Sequence, residues 1–207
     1  MLQDINLHLI LLAAFVAAVS PGPATLALAG TSMAAGRKAG LSLASGITTG
    51  SVMWSAAAAA GLSAIMMAHV WMLEAVRYFG AGYLLFLAFK SARAALSQKA
   101  SSAKQMQGTP RALYFKGLML HLTNPKAILF FGSLYSIGVP ATISPMQLAF
   151  IVAIVGMQNF VLFHVYALLF SNPWLSKGYL RLRRWFESAF AIGFGLAGAK
   201  ILTARLQ

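Results

Sequence analysis

The sequence predicts an all-α membrane protein: six transmembrane helices as two inverted three-helix repeats, the first helix of each repeat broken at a proline motif. Composition is the first observation behind this. Of 207 residues, 59% are hydrophobic and 9% are charged, whereas soluble domains carry about 25% charged residues. Mean hydropathy is +0.75, which leaves no place for a large soluble domain. The second observation is that the apolar residues fall into six long runs, not the alternating pattern of a membrane β-barrel. The third is that two of those runs are interrupted by proline at matching places.

The six runs are Ile5–Met33, Gly40–Met67, Val70–Phe89, Ala112–Gly138, Pro145–Phe170 and Trp185–Leu202. A helix of about 20 residues crosses the hydrocarbon core, so each run is long enough for one span. Unpaired backbone is not tolerated in lipid, which makes the helix the expected form. Asp4 and no Lys or Arg precedes the first run, so a cleavable signal with a positive leading region is not expected. The longest hydrophilic stretch, Ser91–Thr109, divides the runs three and three. The chain 1–207 therefore reads as one transmembrane domain, with 1–90 the first repeat, 91–111 a basic loop and 112–207 the second repeat.

Net charge is +13, from 16 Lys and Arg against Asp4, Glu74 and Glu187. In a soluble protein this excess would suggest nucleic acid, but here placement decides. One side collects Arg37, Lys38, Lys90, Arg93, Lys99, Lys104, Arg111, Lys116, Lys177, Arg181, Arg183 and Arg184; the other holds Arg77, Lys200 and Arg205. The positive-inside rule puts the first, third and fifth loops in the cytoplasm and both termini outside. Trp174–Trp185 interleaves aromatic and basic residues, as a segment lying near anionic lipid would. The partner these charges imply is the bilayer, not nucleic acid.

The first span contains Ser20-Pro21-Gly22-Pro23 and the fourth contains Thr123-Asn124-Pro125-Lys126. Each places Ser or Asn directly before Pro, the cap and first position of a helix start, yet each lies in mid-span. Two half-helices per span, with unwound backbone between them, account for both. A repeat of three spans inverts across the membrane. Matching breaks in the first helix of each half thus point to an inverted-repeat transporter with a site at mid-membrane. Freed N–H groups and helix dipoles there suit a carboxylate, and freed carbonyls suit an ammonium. Simple structural kinks are the alternative. Lys126 is a mid-span charge, a functional feature by default. It is placed either to hold a substrate carboxylate or to neutralise carbonyls freed at the break.

His164 lies inside the fifth span with Gln158 and Asn159, and either couples transport to protons or bonds between helices. His121, one turn before the second break, is placed to line the same cavity. His8 and His69 fall near span ends. Four scattered histidines without carboxylate neighbours do not form a metal site. Glu74 and Arg77 are spaced to pair on one helix. Gly36/Gly40 and Gly46/Gly50 allow close helix packing, within the bundle or across a homodimer. Cysteine is absent, which removes disulfides, thiolate metal sites and cysteine nucleophiles. No nucleotide-binding loop, serine elbow or carboxylate pair is present, so neither an enzyme nor a cofactor is expected.

Along nearly its full length the chain resembles the LysE/RhtB family of bacterial amino-acid exporters. The resemblance is carried by SPGPATLAL at Ser20–Leu28, the paired glycine motifs with Trp54 and Gly61-Leu62, and Gly80-Ala81-Gly82-Tyr83-Leu84. Phe115-Lys116-Gly117 leading into LTNPKAILFF at Leu122–Phe131 carries it further, as do VYALLFS and GFGLAGAKIL near the end. It implies a multi-pass permease of the bacterial inner membrane exporting amino acids on the proton gradient; the termini that the charge count places outside are then periplasmic. It also implies that Pro21, Gly22, Pro23, Asn124, Pro125 and Lys126 lie at the transport site. Ser51 stands where many relatives carry an acid, which argues against a dibasic substrate and against carboxylate-mediated proton coupling; His164, His121 and Lys126 are then the candidates. Export of a cation or another small solute, or a non-transporting accessory role, are the competing readings. An electron carrier of similar architecture fails for want of a cysteine pair.

Overall fold

The computed structural model describes residues 5–68, 70–97, 105–139 and 143–203. These residues form seven α-helices with no strand among them: α1 (Leu7–Val19), α2 (Pro23–Ala68), α3 (Val70–Leu96), α4 (Pro110–Leu122), α5 (Pro125–Gly138), α6 (Pro145–Phe170) and α7 (Pro173–Thr203). His69 and most of the polar stretch after Ser97 lie outside the described residues, as do the side chains of Glu74 and Arg77.

Proline punctuates the chain. Helices α4, α5 and α6 start with proline behind Thr109, Asn124 and Ser144, whose side chains each accept a backbone N–H of the first turn. At the start of α7, Asn172 Oδ1 does the same for Trp174 N, at 2.9 Å. The pattern is the expected one, because proline fixes a helical φ and lacks the N–H that a first turn cannot pair. Ser20 departs from it. It closes α1 as its C-cap, extended at φ −67° and ψ 139°, instead of capping the next helix. The second proline explains this, since Pro23 sits at the start of α2 and a residue before proline is pushed out of the helical region.

Two boundaries differ from the sequence reading. The first two apolar runs are joined in α2, which bends at Gly36 where φ is 78° and ψ −175°. A side chain there would be strained, so Gly36 serves to bend α2 just before Arg37 and Lys38, and with nothing within 4 Å of a β-carbon it is not a packing glycine. Helix α7 begins at Pro173 instead of Trp185, because the basic and aromatic residues of Trp174–Trp185 continue the helix. Glu187, expected at a helix start, therefore lies in mid-helix.

The largest interfaces join α2 to α4, α3 to α7 and α2 to α6. At the first, a β-carbon on Gly46 would collide with the Tyr114 carbonyl, and one on Gly117 with the Leu43 carbonyl. The glycines thus pack helices within the bundle. Two apolar cores result. One gathers α1, α3, α5, α7 and the start of α6, and the other gathers α2 with the end of α6. Outside them lies a belt of exposed apolar side chains, including Phe15, Phe79, Phe86, Phe89, Phe160 and Leu196. A water-soluble monomer rarely exposes so much. Among the described residues α6 alone is long and apolar enough for a span by itself, and α1 with Pro23–Gly61 passes as a pair bent by 52°. Helices α3 and α7 have the length, at 27 and 31 residues, but carry charges within their ends.

Candidate functional site

The two breaks meet. Lys126, on the first turn of α5, reaches across to the end of α1, where its Nζ donates to Ser20 O at 2.8 Å and also to Ser20 Oγ. Its stem lies along Gly22, where a β-carbon would stand 3.0 Å from Lys126 Cδ. Asn124 Oδ1 accepts from Lys126 N at 3.0 Å and holds that turn in place. On the other break, Gly22 N donates to Thr25 Oγ1 at 2.7 Å, and the hydroxyl donates back to Gly22 O at 3.1 Å.

Carbonyls released by the breaks find partners on distant helices. Val19 O accepts from the Tyr166 hydroxyl at 3.1 Å, and Leu122 O from Trp54 Nε1 at 3.3 Å. Unpaired carbonyls in an apolar medium cost several kcal/mol each, roughly, so these contacts make the unwound backbone affordable. Of the two roles open to Lys126, neutralising a freed carbonyl is the one it performs in this conformation.

Beside Lys126 lies a cavity of about 40 Å³, at the junction of the two apolar cores. A water needs about 10–15 Å³ on this measure, so the cavity holds a few waters and lies at the small end of the amino-acid scale. Its polar lining comes from Thr25, Ser51, His121, Asn124, Lys126 and Asn159. Asn159 Nδ2 donates to Ser51 Oγ at 2.7 Å, while Asn159 Oδ1 and both ring nitrogens of His121 are buried without a partner. Buried polar atoms are normally paired, so three orphans on two residues that line one cavity mark a place for a polar guest. Lys126 and the N-terminal ends of α2 and α5 supply positive potential for a carboxylate. Asn159 Oδ1 is a ready acceptor for an ammonium or hydroxyl. One turn beyond the lining residues Phe131 and Ser51, Tyr135 and Ser55 are joined by a 2.6 Å hydrogen bond between their hydroxyls.

On the other side of Lys126 a second cavity, of about 250 Å³, is lined by Ser20, Pro21, Gly22, Pro23, Lys90, Ser91 and Glu187 among others. Gly22 and Lys126 border both cavities.

A family profile described as LysE type translocator matches residues 15–205. The chain belongs to this family. Among curated relatives, the threonine efflux protein of Escherichia coli (strain K12) is 33% identical over 187 residues, covering 87% of this chain and 91% of that protein. The threonine efflux protein of Salmonella typhi is 31% identical over 188 residues, with the same coverage. A leucine efflux protein of Salmonella choleraesuis is 34% identical over 131 residues, 63% of this chain and 62% of that protein. No solved structure matches the chain.

In this LysE-type translocator the residues singled out from sequence separate into groups. Gly22, Asn124, Lys126 and His121 border the smaller cavity, called inner for its place at the junction of the two cores, and Pro21 and Pro23 the larger one. Pro125 lines neither and serves as the first residue of α5. His164 stands apart, with Nε2 3.1 Å from Ser45 Oγ and Nδ1 2.8 Å from Phe160 O. Sequence reasoning did not assign Thr25, Ser51, Asn159 or Glu187 to the site. Asn159 offered a signal, an amide in mid-span. Glu187 offered none until α7 was seen to start at Pro173.

Proposed function

We propose that this chain exports small neutral amino acids across the bacterial inner membrane, by alternating access between two inverted three-helix halves coupled to the proton gradient. The observation that carries the reading is the meeting of the two breaks through Lys126, beside a cavity lined by His121 and Asn159, whose ring nitrogens and Oδ1 have no partner. The carboxylate of a zwitterion takes Lys126 from the Ser20 carbonyl, and its ammonium or hydroxyl takes Asn159 Oδ1. The inner lining carries one cation and no carboxylate among the described residues, which favours neutral substrates over dibasic ones and over metal cations. The names of the threonine and leucine efflux relatives support the same class.

The packing supports inverted halves. Under a two-fold exchange of 1–90 with 112–207, the α3·α7 interface maps onto itself, and so does the packing of α6 against the part of α2 beyond Gly36, where Asn159 meets Ser51. Two contacts between the halves are placed to act as gates, Lys126–Ser20 beside the cavity and Tyr135–Ser55 one turn from its lining residues Phe131 and Ser51. Of the two candidate histidines, His121 faces the cavity and is in position to carry a proton.

Cells with and without the protein, loaded with individual amino acids as dipeptides, are expected to differ in release of one or a few small neutral amino acids. Equal release of all of them, with the protein in the membrane, rules out the export reading. Orientation has its own test. Arg184 Nε on α7 donates to Ala95 O at the end of α3, and Met106 N to Thr31 Oγ1 of α2, so the basic segments gather at one end. The chain has no cysteine, and Gln105→Cys is expected to escape an impermeant thiol reagent in intact cells while reacting in lysed ones. Labelling of intact cells would reverse the topology.

A further inference from the structure

We propose that the cavity of about 250 Å³ on the Lys90 side of Lys126 is a second zwitterion-binding site, in which Glu187 takes the ammonium and Lys126 and Lys90 take the carboxylate. The proposal rests on the export function proposed above. It adds a carboxylate to a pathway whose inner cavity has none.

Glu187 is 3% exposed although it lies in the middle of α7, a helix facing the apolar core through Phe190 and Phe194. A buried carboxylate in such surroundings is retained where positive charge meets it. The cavity it faces offers cations on two other elements, Lys90 of α3 and Lys126 of α5, with Ser20 and Ser91 as hydroxyl partners. Opposite charges from three helices lining one cavity match a molecule carrying both charges a few ångströms apart. A simple anion would be repelled by Glu187, and a simple cation by the two lysines.

The two cavities share a border at Gly22 and Lys126. Gly22 presents no side chain at this border, and a β-carbon there would press on Lys126 Cδ at 3.0 Å. A bound zwitterion can therefore keep its carboxylate on Lys126 while its other end passes from Glu187 to Asn159. Lys126 then releases Ser20 only when a carboxylate replaces that carbonyl. The wider cavity collects substrate and the narrower one selects it by size.

The purified full chain in proteoliposomes tests this with L-threonine and with 2,3-dihydroxybutyrate, in which a hydroxyl replaces the ammonium. The native protein is expected to prefer threonine. Glu187→Gln is expected to raise the KM for threonine about 10-fold or more, the value of one charge-assisted contact. It should leave the KM for the hydroxy acid unchanged or lower, so the preference collapses, and Glu187→Asp should restore it. A Glu187→Gln variant that keeps the native preference overturns the assignment. A second measurement does not depend on that variant: saturating threonine should protect Ser91→Cys from a small thiol reagent, and 2,3-dihydroxybutyrate should protect it less. Absence of protection overturns the site. Native protein that moves neither compound sinks the proposed export itself, whereas native transport with unchanged preference in Glu187→Gln sinks only this site.

Discussion

Lys126→Ala is expected to reach the membrane in normal amount and to lose amino-acid efflux by about 100-fold or more, the loss of a buried charge-assisted contact of about 3 kcal/mol. Two opposing terms decide that the variant persists. Removing a mid-span ammonium relieves an insertion penalty of at least ~2.5 kcal/mol. It also takes from the Ser20 carbonyl its nearer donor, Lys126 Nζ at 2.8 Å, and leaves it the Thr25 hydroxyl at 3.4 Å, at about 1–3 kcal/mol. These nearly cancel, so assembly survives while the carboxylate partner is gone. Lys126→Met keeps the aliphatic stem against Gly22 and should fail equally in transport, separating charge from packing. Lys126→Arg keeps the charge, but spreads it over a rigid planar fork that does not reproduce the single ammonium reaching Ser20 O at 2.8 Å. It should retain only a small fraction of native efflux. The check is initial efflux rate normalised to membrane-resident protein; a Lys126→Met variant with native rate would show that Lys126 only seals the break.

That experiment also separates what the sequence makes visible from what it hides. Apolar runs, proline punctuation and the basic loops are local signals, and the helices follow them because backbone in lipid has few other options. Asn124-Pro125 behaves as its dipeptide predicts, capping α5. Ser20 does not, because a second proline two residues past Pro21 moves the helix start to Pro23. Gly36 looks like its neighbours Gly40 and Gly46 until its backbone is seen at φ 78°. The site itself is assembled from α2, α4, α5 and α6 by packing, and packing partners leave no mark on spacing. Ser51 and Asn159 meet across 2.7 Å although 108 positions separate them. Glu187 is hidden for a different reason: the arginines before it lower the local hydropathy, so a window places the helix start too late.

Gly117→Leu is expected to abolish accumulation of folded protein or to lower its thermal midpoint by many degrees, with Gly117→Ala intermediate. In lipid no hydrophobic force drives helices together, so stability rests on close packing, and α2 against α4 is among the largest interfaces. The fit is reciprocal. A β-carbon on Gly117 would run into Leu43 O and stand 3.2 Å from Ile47 N; one on Gly46 would run into Tyr114 O and stand 2.8 Å from Leu118 N. These obstacles are backbone atoms, which cannot rotate away, so the helices themselves must separate. Overpacking of this kind costs about 1–3 kcal/mol where side chains can adjust and more where they cannot. Gly132→Leu is the matched control, because a β-carbon on Gly132 meets nothing within 4 Å. It should leave the midpoint near native, measured on detergent-purified protein by size-exclusion after heating. Equal behaviour of the two leucine variants would show that the α2·α4 contact does not set stability. The same spacing governs the site, because a β-carbon on Gly50 would stand 3.0 Å from His121 Cβ. Any variant of this seam that does fold should therefore transport poorly, since a wider gap carries His121 and the second break away from Ser51 and Asn159.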